Sequence, residues 1–287
     1  MEDAVHCPID TAELRRFLAE DMPQGDITTE AIVAPELRAR GELLAKASLV
    51  LAGIEIFGAV FRLLDPAAEI DANAADGDPV ASGQVPVRVR ALARALLSGE
   101  RTALNLVQRM SGVATMTRRF VDAVEGTGAS ILDTRKTMPG LRALDKYAVR
   151  VGGGTNHRRD LSHAVLIKEN HIRMAGGVAP ALMAVAPQRG RAAWIEIEVT
   201  NDQELRSALE LAPDVILLDN MTPEMTAESV RMVRQHDSTR KILTEASGGI
   251  TLANVRAYAE AGVDWISVGA LTHSTPSVDL SFEIEPE

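Results

Sequence analysis

The chain has 287 residues, of which 46% are hydrophobic and 24% are charged, so it can bury a core of one or two domains. Its formal net charge of −10 argues against a general partner of nucleic acids or anionic membranes. The acidic start lacks the apolar segment of a signal peptide, and the most apolar stretch is interrupted by Glu55 and too short for a membrane span. One cysteine, Cys7, permits no internal disulfide. A cytoplasmic protein is expected.

The N-terminal part mixes helical and strand patterns. The predicted elements are helices over 10–21 and 54–64, strands within 37–53 and 85–93, and a turn-rich hairpin at 76–84. A long helical pattern then covers 100–126. The domain boundary is placed near the middle of this pattern, which gives an N-terminal domain over 1–112 and a second domain over 113–272.

The C-terminal half alternates short strands with helices. The β-rich runs are 129–134, 164–168, 194–199, 214–219, 241–247 and 264–269. Helices follow three of these runs, with Asn201 or Asp202 as a cap, Pro223 in a first turn, and Thr251 and Gly262 as start and stop. This alternation predicts a parallel sheet and a β/α barrel.

Polar residues or glycines end each run, where a barrel places its active site. The basic pair Arg135–Lys136 ends the first run. From Arg135 to Lys168 the chain has eight Lys or Arg against two Asp, a basic segment in an acidic protein. Such a segment can create a positive electrostatic potential that attracts a small anion, although a solvated helix face would have the same composition. His157 and Arg158, after three glycines, and Lys168 suit an anion site.

Carboxylates end the next two runs. Glu196 and Glu198 share one face of their strand, and the apolar residues between them suit the helix layer, so both glutamates are expected to point into the barrel. Asp219 ends the following strand. Acids at the ends of adjacent strands suit Mg²⁺ that substrate phosphates also hold, whereas the alternative is simple pairing with nearby cations.

Glycine turns follow the last two strands. Ser247–Gly249 and Gly269 let backbone N–H groups approach a ligand, and a helix that starts at Thr251 would add its positive end. The loops after the final strands of a barrel are a recurrent phosphate site.

Several segments together resemble the quinolinate phosphoribosyltransferases, or carboxylating nicotinate-nucleotide pyrophosphorylases, of the type II phosphoribosyltransferase family. They are EDMPQGDITTEAI, ERTALNLVQRMSGVAT, ILDTRKTMPGLRALDKYAVRVGGGTNHR, VLIKENHI, EIEV, ILLDNM, EASGGIT and ISVGALTHS. The resemblance implies an α/β fold in which an N-terminal α/β sandwich domain precedes an open or incomplete β/α barrel, with residues 273–287 packing back on the first domain. It also implies a homodimer with shared active sites and leaves a hexamer of dimers open.

The implied activity is transfer of phosphoribose from phosphoribosyl pyrophosphate to quinolinate with loss of CO₂, in de novo NAD biosynthesis. The implied catalytic residues are Lys136, Lys168, Glu198 and Asp219, and the implied cofactor is Mg²⁺, which Glu198 and Asp219 would serve indirectly through pyrophosphate. Binding of the quinolinate carboxylates and neighbouring phosphates is implied for Arg101, Thr134, Arg135, Lys136, His157, Arg158 and Lys168. Binding of the 5′-phosphate is implied for Ser247, Gly248, Gly249, Val268, Gly269 and Ala270.

Two positions depart from the family pattern. Asp160 stands where a glycine is expected, and His163 stands where an acid is common. Three other functions remain open: a molybdenum-transport-associated paralogue of the same fold, a Schiff-base aldolase that uses Lys168, and a non-catalytic anion-binding protein. The intact DTRKT, NHR and LIKENH segments favour the quinolinate enzyme.

Overall fold

The computed structural model describes residues 10–239 and 241–287, so Cys7 and the first residues of the expected N-terminal domain lie outside the described part. The helices are α1 Thr11–Asp21, α2 Ile27–Ile32, α3 Ile54–Leu64, α4 Ala93–Ala123, α5 Arg142–Val151, α6 Glu169–Ala175, α7 Val178–Val185, α8 Asp202–Leu209, α9 Pro223–His236, α10 Val255–Glu260 and α11 Ala270–His273. The strands are β1 Arg38–Ala45, β2 Leu49–Val50, β3 Glu69–Ala72, β4 Pro79–Val80, β5 Val87–Leu92, β6 Ser130–Leu132, β7 Val165–Ile167, β8 Ile195–Val199, β9 Val215–Asp219, β10 Leu243–Ser247, β11 Trp265–Ser267 and β12 Leu280–Pro286. None of the helices in this part of the chain combines the length and hydrophobicity needed to cross a bilayer.

The first compact unit is built on an antiparallel sheet of order β12-β1-β5-β3. Helix α3 contributes Phe57 and Phe61 to its core, where both rings contact Phe282 of β12, with centroids 5.4 Å and 5.3 Å away. Gly41 of β1 makes room for this cluster, because a Cβ there would lie 2.0 Å from the Phe282 ring. The unit comprises the described residues within 10–118, 138–153 and 274–287.

Two predictions in this unit need correction. The segment 76–84 is not a hairpin of its own, because its strand β4 pairs antiparallel with the distant β2 and Leu51 N–H donates to the Asp78 carbonyl. The long helix begins at Ala93 rather than at Glu100. Gly99 does not interrupt it, since a Cβ there would lie only 3.0 Å from Leu64, and the glycine therefore serves close packing against α3.

The second unit, residues 119–137 and 154–273 as described, is a parallel sheet of order β6-β11-β10-β9-β8-β7. The edge strands β6 and β7 form no ladder with each other among the described residues, so the barrel is open, as the resemblance implies. Thr155 forms a single parallel bridge beside β6, with its N–H 2.8 Å from the Ile131 carbonyl. This bridge holds the segment that leads to His157 against the sheet.

The helix starts follow the predictions in two cases out of three. The side chains of Asn201 and Thr222 accept the N–H groups of Glu204 and Met225, as N-caps do. The third helix, α10, begins at Val255 and not after Thr251. The Asn254 side chain accepts the Thr251 N–H at 2.7 Å and donates to the Gly249 carbonyl, which keeps this segment in turns. The short α10 therefore does not present its N-terminus at Thr251.

Candidate active site

A cavity of about 670 Å³ lies at the C-terminal ends of the parallel strands in the second unit. Because parallel strands all point the same way, residues far apart in sequence meet at this one edge. The cavity collects most of the predicted site residues, namely Thr134, Arg135, Lys136, His157, Arg158, Lys168, Asp219, Ser247, Gly248, Gly249, Val268, Gly269 and Ala270.

Two predicted site residues do not line this cavity. Glu198 is buried just behind the lining, and its Oε2 accepts from Lys168 Nζ at 2.9 Å. This contact is the ion pair with a nearby cation that the sequence analysis gave as the alternative to a role with Mg²⁺. Arg101 belongs to the first unit, where it lies exposed on α4.

One wall of the cavity is formed by two arginines. The Nε atom of Arg135 is buried and has no hydrogen-bond partner among the described residues. Arg158 is buried beside it and donates to the Ala164 carbonyl at 3.2 Å. Burial, and then the charge of Arg135, lower the pKa of Arg158. A bound anion would supply the missing acceptor and offset the repulsion between the two guanidinium groups.

The neighbouring Lys136 is held by its backbone. Its N–H donates to Thr134 Oγ1 at 3.0 Å, and its carbonyl accepts from Thr272 Oγ1 at 2.8 Å. Its side chain crosses Gly269, where a Cβ would lie 2.9 Å from Lys136 Cδ and 3.3 Å from the His273 ring. Glycine at this position is therefore needed for the path of the lysine side chain.

The two glycine turns differ in their backbone. Gly248 and Gly249 have φ values of 96° and 62°, the left-handed region that favours glycine. In the other turn, the Val268 N–H already donates to the Leu132 carbonyl at 2.9 Å, so this amide belongs to the sheet.

Asp219 lies on the cavity lining at the end of β9. Burial, and then the charge of Glu198, raise the pKa of Asp219, while a hydrogen bond from Asn220 at 2.6 Å opposes this shift. Carboxylate oxygens that repel each other fit a hard cation such as Mg²⁺. Asn220, which sequence reasoning missed, has a positive φ of 54° and packs against Gly248, where a Cβ would lie 2.3 Å from its Oδ1. An Asn directly after a strand was the available signal.

The floor of the cavity contains a buried cluster of one histidine and two glutamates. His157 Nε2 lies 3.1 Å from Glu196 Oε2 and 3.3 Å from Glu245 Oε2. His157 Nδ1 accepts the Arg158 N–H at 2.8 Å, so both ring nitrogens have protein partners. Burial lowers the pKa of His157, but the two carboxylates outweigh it and raise that pKa above its ordinary value. Glu245 was not predicted, although an acid inside the apolar run of β10 was its signal.

The two departures from the family pattern stay outside the cavity lining. Asp160 Oδ1 accepts the N–H groups of Ser162 and His163, and the Ser162 hydrogen bonds lower the pKa of Asp160 to about 2. His163 packs edge-on against Trp194, with ring centroids 5.3 Å apart. Both residues shape their own loop and add no charge to the cavity lining.

Comparison with known proteins gives one consistent family. The models described as "Quinolinate phosphoribosyl transferase" match over both domains, the N-terminal model at residues 26–111 and the C-terminal model at residues 113–283. The nicotinate-nucleotide pyrophosphorylase [carboxylating] of Mycobacterium leprae is 43% identical over 289 residues, which cover 97% of this chain and 99% of that protein. The probable nicotinate-nucleotide pyrophosphorylase [carboxylating] of Bacillus subtilis is 41% identical over 271 residues, which cover 94% and 92%.

Solved structures agree. NadC from Streptococcus pyogenes has a TM-score of 0.90 at 35% identity, with 96% of each chain covered. The nicotinate-nucleotide pyrophosphorylase from Francisella tularensis also has a TM-score of 0.90 at 35% identity, and covers 99% of this chain and 100% of that one.

Proposed function

Because the chain belongs to the quinolinate phosphoribosyl transferase family, we propose that it transfers phosphoribose from phosphoribosyl pyrophosphate to the ring nitrogen of quinolinate. The products are nicotinate mononucleotide, pyrophosphate and CO₂. The observation that carries this proposal is the arginine wall of the cavity, where the buried Arg135 Nε lacks an acceptor beside the buried Arg158.

Different cationic side chains of the cavity bind the two substrates. Arg135 and Arg158 bind the quinolinate carboxylates, since a planar guanidinium matches the two oxygens of a carboxylate. Lys168 is already paired with Glu198, so an incoming carboxylate must share its ammonium group. His157 lines the same side but has its ring nitrogens engaged, so it acts through the backbone of Arg158.

The phosphate of the second substrate binds at the glycine turns. Ser247–Gly249 and the turn around Gly269 face the same cavity as Lys136. Glycines let a phosphate oxygen approach backbone N–H groups, and the ammonium group of Lys136 adds a positive charge. This assignment supports phosphoribosyl pyrophosphate over a ligand without phosphates.

Glu198 and Asp219 are proposed to act on the ribose. Positive charge develops on the sugar ring as pyrophosphate leaves, and a fixed carboxylate close to it lowers the barrier. Glu198 and Asp219 would hold Mg²⁺ that is bound to the pyrophosphate, and this Mg²⁺ would neutralise the charge of the leaving group. Once the ring nitrogen is quaternary, its positive charge stabilises the electron pair that decarboxylation leaves on the ring carbon, and that carbon then takes a proton from water, so no side chain is assigned as a base.

We also propose a cytoplasmic homodimer with shared sites. In the first unit, α2 is tied to α4 by the hydrogen bond from Ser98 Oγ to Asp26 Oδ2 at 3.0 Å. Beside this bond, Ile27 is 81% exposed and Leu97 is exposed one turn before Arg101. An exposed apolar surface next to an exposed arginine supports a partner subunit whose site Arg101 completes. Assembly of dimers into a hexamer is tested by mass in solution.

The test is an assay with quinolinate, phosphoribosyl pyrophosphate and Mg²⁺, followed by the absorbance of the pyridine nucleotide and by CO₂ release. Nicotinate replaces quinolinate in the control, because it lacks one of the two carboxylates. Product from quinolinate but not from nicotinate supports the proposal. Tight binding of quinolinate without product would favour the non-catalytic anion-binding protein, and borohydride trapping of a carbonyl ligand on Lys168 would favour the aldolase.

A further inference from the structure

The buried cluster of His157, Glu196 and Glu245 adjoins Arg158 of the arginine wall. All three side chains are buried, and one ligand atom from each lies within 4.8 Å of the others. Two carboxylates so close together cannot both stay ionised in a buried place unless cations compensate them. The cluster therefore raises the question of where its protons are.

The hydrogen bonds of the imidazole locate one proton. The Arg158 N–H donates to His157 Nδ1 at 2.8 Å, so Nδ1 must offer its lone pair and cannot carry a proton. The ring proton is then on Nε2, which faces both carboxylates. In a doubly protonated ring, the Nδ1–H group and the Arg158 N–H would be two donors facing each other with no acceptor between them. Against its burial, the two carboxylates raise the pKa of His157 and so favour a charged ring, but a charged ring would place an Nδ1 proton against the Arg158 N–H, and this contact therefore assigns the neutral Nε2–H tautomer.

The two carboxyl groups are not equivalent. Glu196 Oε2 receives the indole N–H of Trp194 at 3.0 Å, and Glu196 also attracts the guanidinium of Arg158. The partners of Glu245 are weaker: one oxygen has an ionic contact with His157, and the Ser267 hydroxyl lies close by without a well-aligned hydrogen bond. Burial, and then the charge of Glu196, raise the pKa of Glu245, while His157 and the Ser267 hydroxyl oppose this shift. If the cluster binds a second proton besides the one on His157, Glu245 is therefore the group whose protonation requires the least free energy.

We propose that Glu245 is a neutral carboxylic acid at neutral pH, and that it acts with Glu196 and His157 as a positioning residue for the ring dicarboxylate. This role rests on the function proposed above. An ionised Glu245 would place a second negative charge near the arginine wall and weaken the binding of an anionic ligand there. The proton on Glu245 removes this charge. The cluster also fixes the His157 ring, and through Nδ1 it fixes the backbone of Arg158.

A divalent cation is the competing occupant of the cluster. The three ligand atoms are spaced as a metal site would require. A metal on Nε2 would need that atom free of its proton, with Nδ1 protonated, and the Arg158 N–H at Nδ1 opposes this tautomer. The nearby charge of Arg158 opposes a cation as well. The geometry therefore favours a proton.

Infrared spectroscopy of the intact protein tests the proton directly, without turnover. The difference spectrum between wild type and Glu245→Gln at neutral pH should show the C=O stretch of a protonated carboxyl group, shifted in D₂O. The control is Glu260→Gln, which removes an exposed glutamate paired with Arg256 in α10 and should show no such band. Absence of the band in the Glu245→Gln difference overturns the proposal. A stoichiometric metal ion that survives dialysis overturns it as well.

Kinetics test the positioning role. Glu245→Ala should raise KM for quinolinate about tenfold or more, and KM for phosphoribosyl pyrophosphate less than about threefold. Glu245→Gln, which is neutral and of similar size, should recover most of the loss, whereas the shorter and ionisable Glu245→Asp should not. Rescue by Asp but not by Gln would show that a carboxylate is required and would reject the neutral acid. If Glu245→Ala does not fold, the comparison of Gln with Asp decides.

The two proposals fail in different ways. If wild type forms no product from quinolinate, the proposed function is wrong, and the infrared band still decides whether Glu245 holds a proton. If wild type is active and the band is absent, the function stands and the neutral acid is rejected.

Discussion

Lys168 Nζ lies 2.9 Å from Glu198 Oε2, so two residues with different proposed roles are hydrogen-bonded to each other at the edge of the cavity. The lysine is half exposed, at 51% of its side chain, while the glutamate is almost buried. A carboxylate ligand that approaches Lys168 must share it with Glu198. Binding of quinolinate would then loosen this pair and leave Glu198 free to face the ribose.

Glu198→Gln tests this relationship. We expect kcat to fall on the order of a hundredfold, because the fixed negative charge near the ribose is lost. The free energy of unfolding should change by less than about 1 kcal/mol, since an ion pair with a half-exposed lysine contributes little. Steady-state kinetics and urea unfolding measure the two effects. A normal kcat would remove Glu198 from the chemistry.

Arg135→Ala should lower kcat/KM by about tenfold to over a hundredfold, which corresponds to roughly 1.5–3 kcal/mol for one charge-assisted contact. Lys136→Ala should have a similar effect, and both variants should remain folded. The matched control is Arg159→Ala, because Arg159 is 80% exposed, pairs with Asp160 and lies outside the cavity lining. If Arg135→Ala and Lys136→Ala behave like the control, the basic pair is only part of the surface.

Metal dependence should involve Asp219. We expect EDTA to abolish activity and Mg²⁺ to restore it, with a weaker Mg²⁺ response in Asp219→Asn. Because burial and Glu198 raise the pKa of Asp219, activity should decline on acidification at a higher pH than for an ordinary aspartate. Full turnover in metal-free buffer would contradict the role of Mg²⁺.

The raised pKa of Asp219 should make acidification favour folding, although acidification lowers activity. A carboxyl group whose pKa is raised in the folded state binds its proton more tightly there, so its contribution to stability is lost as pH rises through that pKa. Asp219→Asn should therefore unfold at a slightly higher temperature than wild type at neutral pH, although it is less active. Calorimetry at two pH values checks the sign.

Gly269→Ala should reduce kcat/KM through Lys136, because the added Cβ would lie 2.9 Å from Lys136 Cδ and force the flexible side chain to move. We expect a loss of about tenfold, similar to a weakened charge-assisted contact, with little change in stability. Gly190→Ala is the control, since nothing lies within 4 Å of a Cβ at that position. Equal kinetics in the two variants would mean that Lys136 need not pass Gly269.

The shared-site dimer predicts complementation between two inactive variants. Arg101→Ala and Lys168→Ala subunits, mixed at equal amounts and allowed to exchange, should form mixed dimers in about half of the population. Each mixed dimer would have one site with both changes and one intact site, so activity should recover to roughly one quarter of wild type per site. If the mixture remains inactive although mass spectrometry shows exchange, Arg101 acts within its own chain.

The sequence was sufficient for the parts of the fold that depend on local pattern. Helix α3 lies at Ile54–Leu64 as predicted, because its apolar residues recur at the helical period and leave Glu55 and Arg62 on the exposed side. Alternating strands and helices indicated the parallel sheet, and the polar ends of the strands identified many of the residues that line one cavity, although Glu198 near the end of β8 does not line it. These features depend on neighbours in the chain, so a local reading was enough.

Tertiary contacts decided the rest. The sequence pattern placed the start of the long helix at Glu100, but α4 begins at Ala93, and Gly99 within it packs closely against Leu64. Glu245 resembles a stray acid in a strand, and only the folded sheet brings it to His157 and Glu196. Whether a buried acid is paired, protonated or metal-bound depends on groups that are distant in the chain. The sequence therefore identified most of the residues that line the cavity, while the tertiary structure decided that Glu245 joins them, that Glu198 and Arg101 do not, and which partners each residue has.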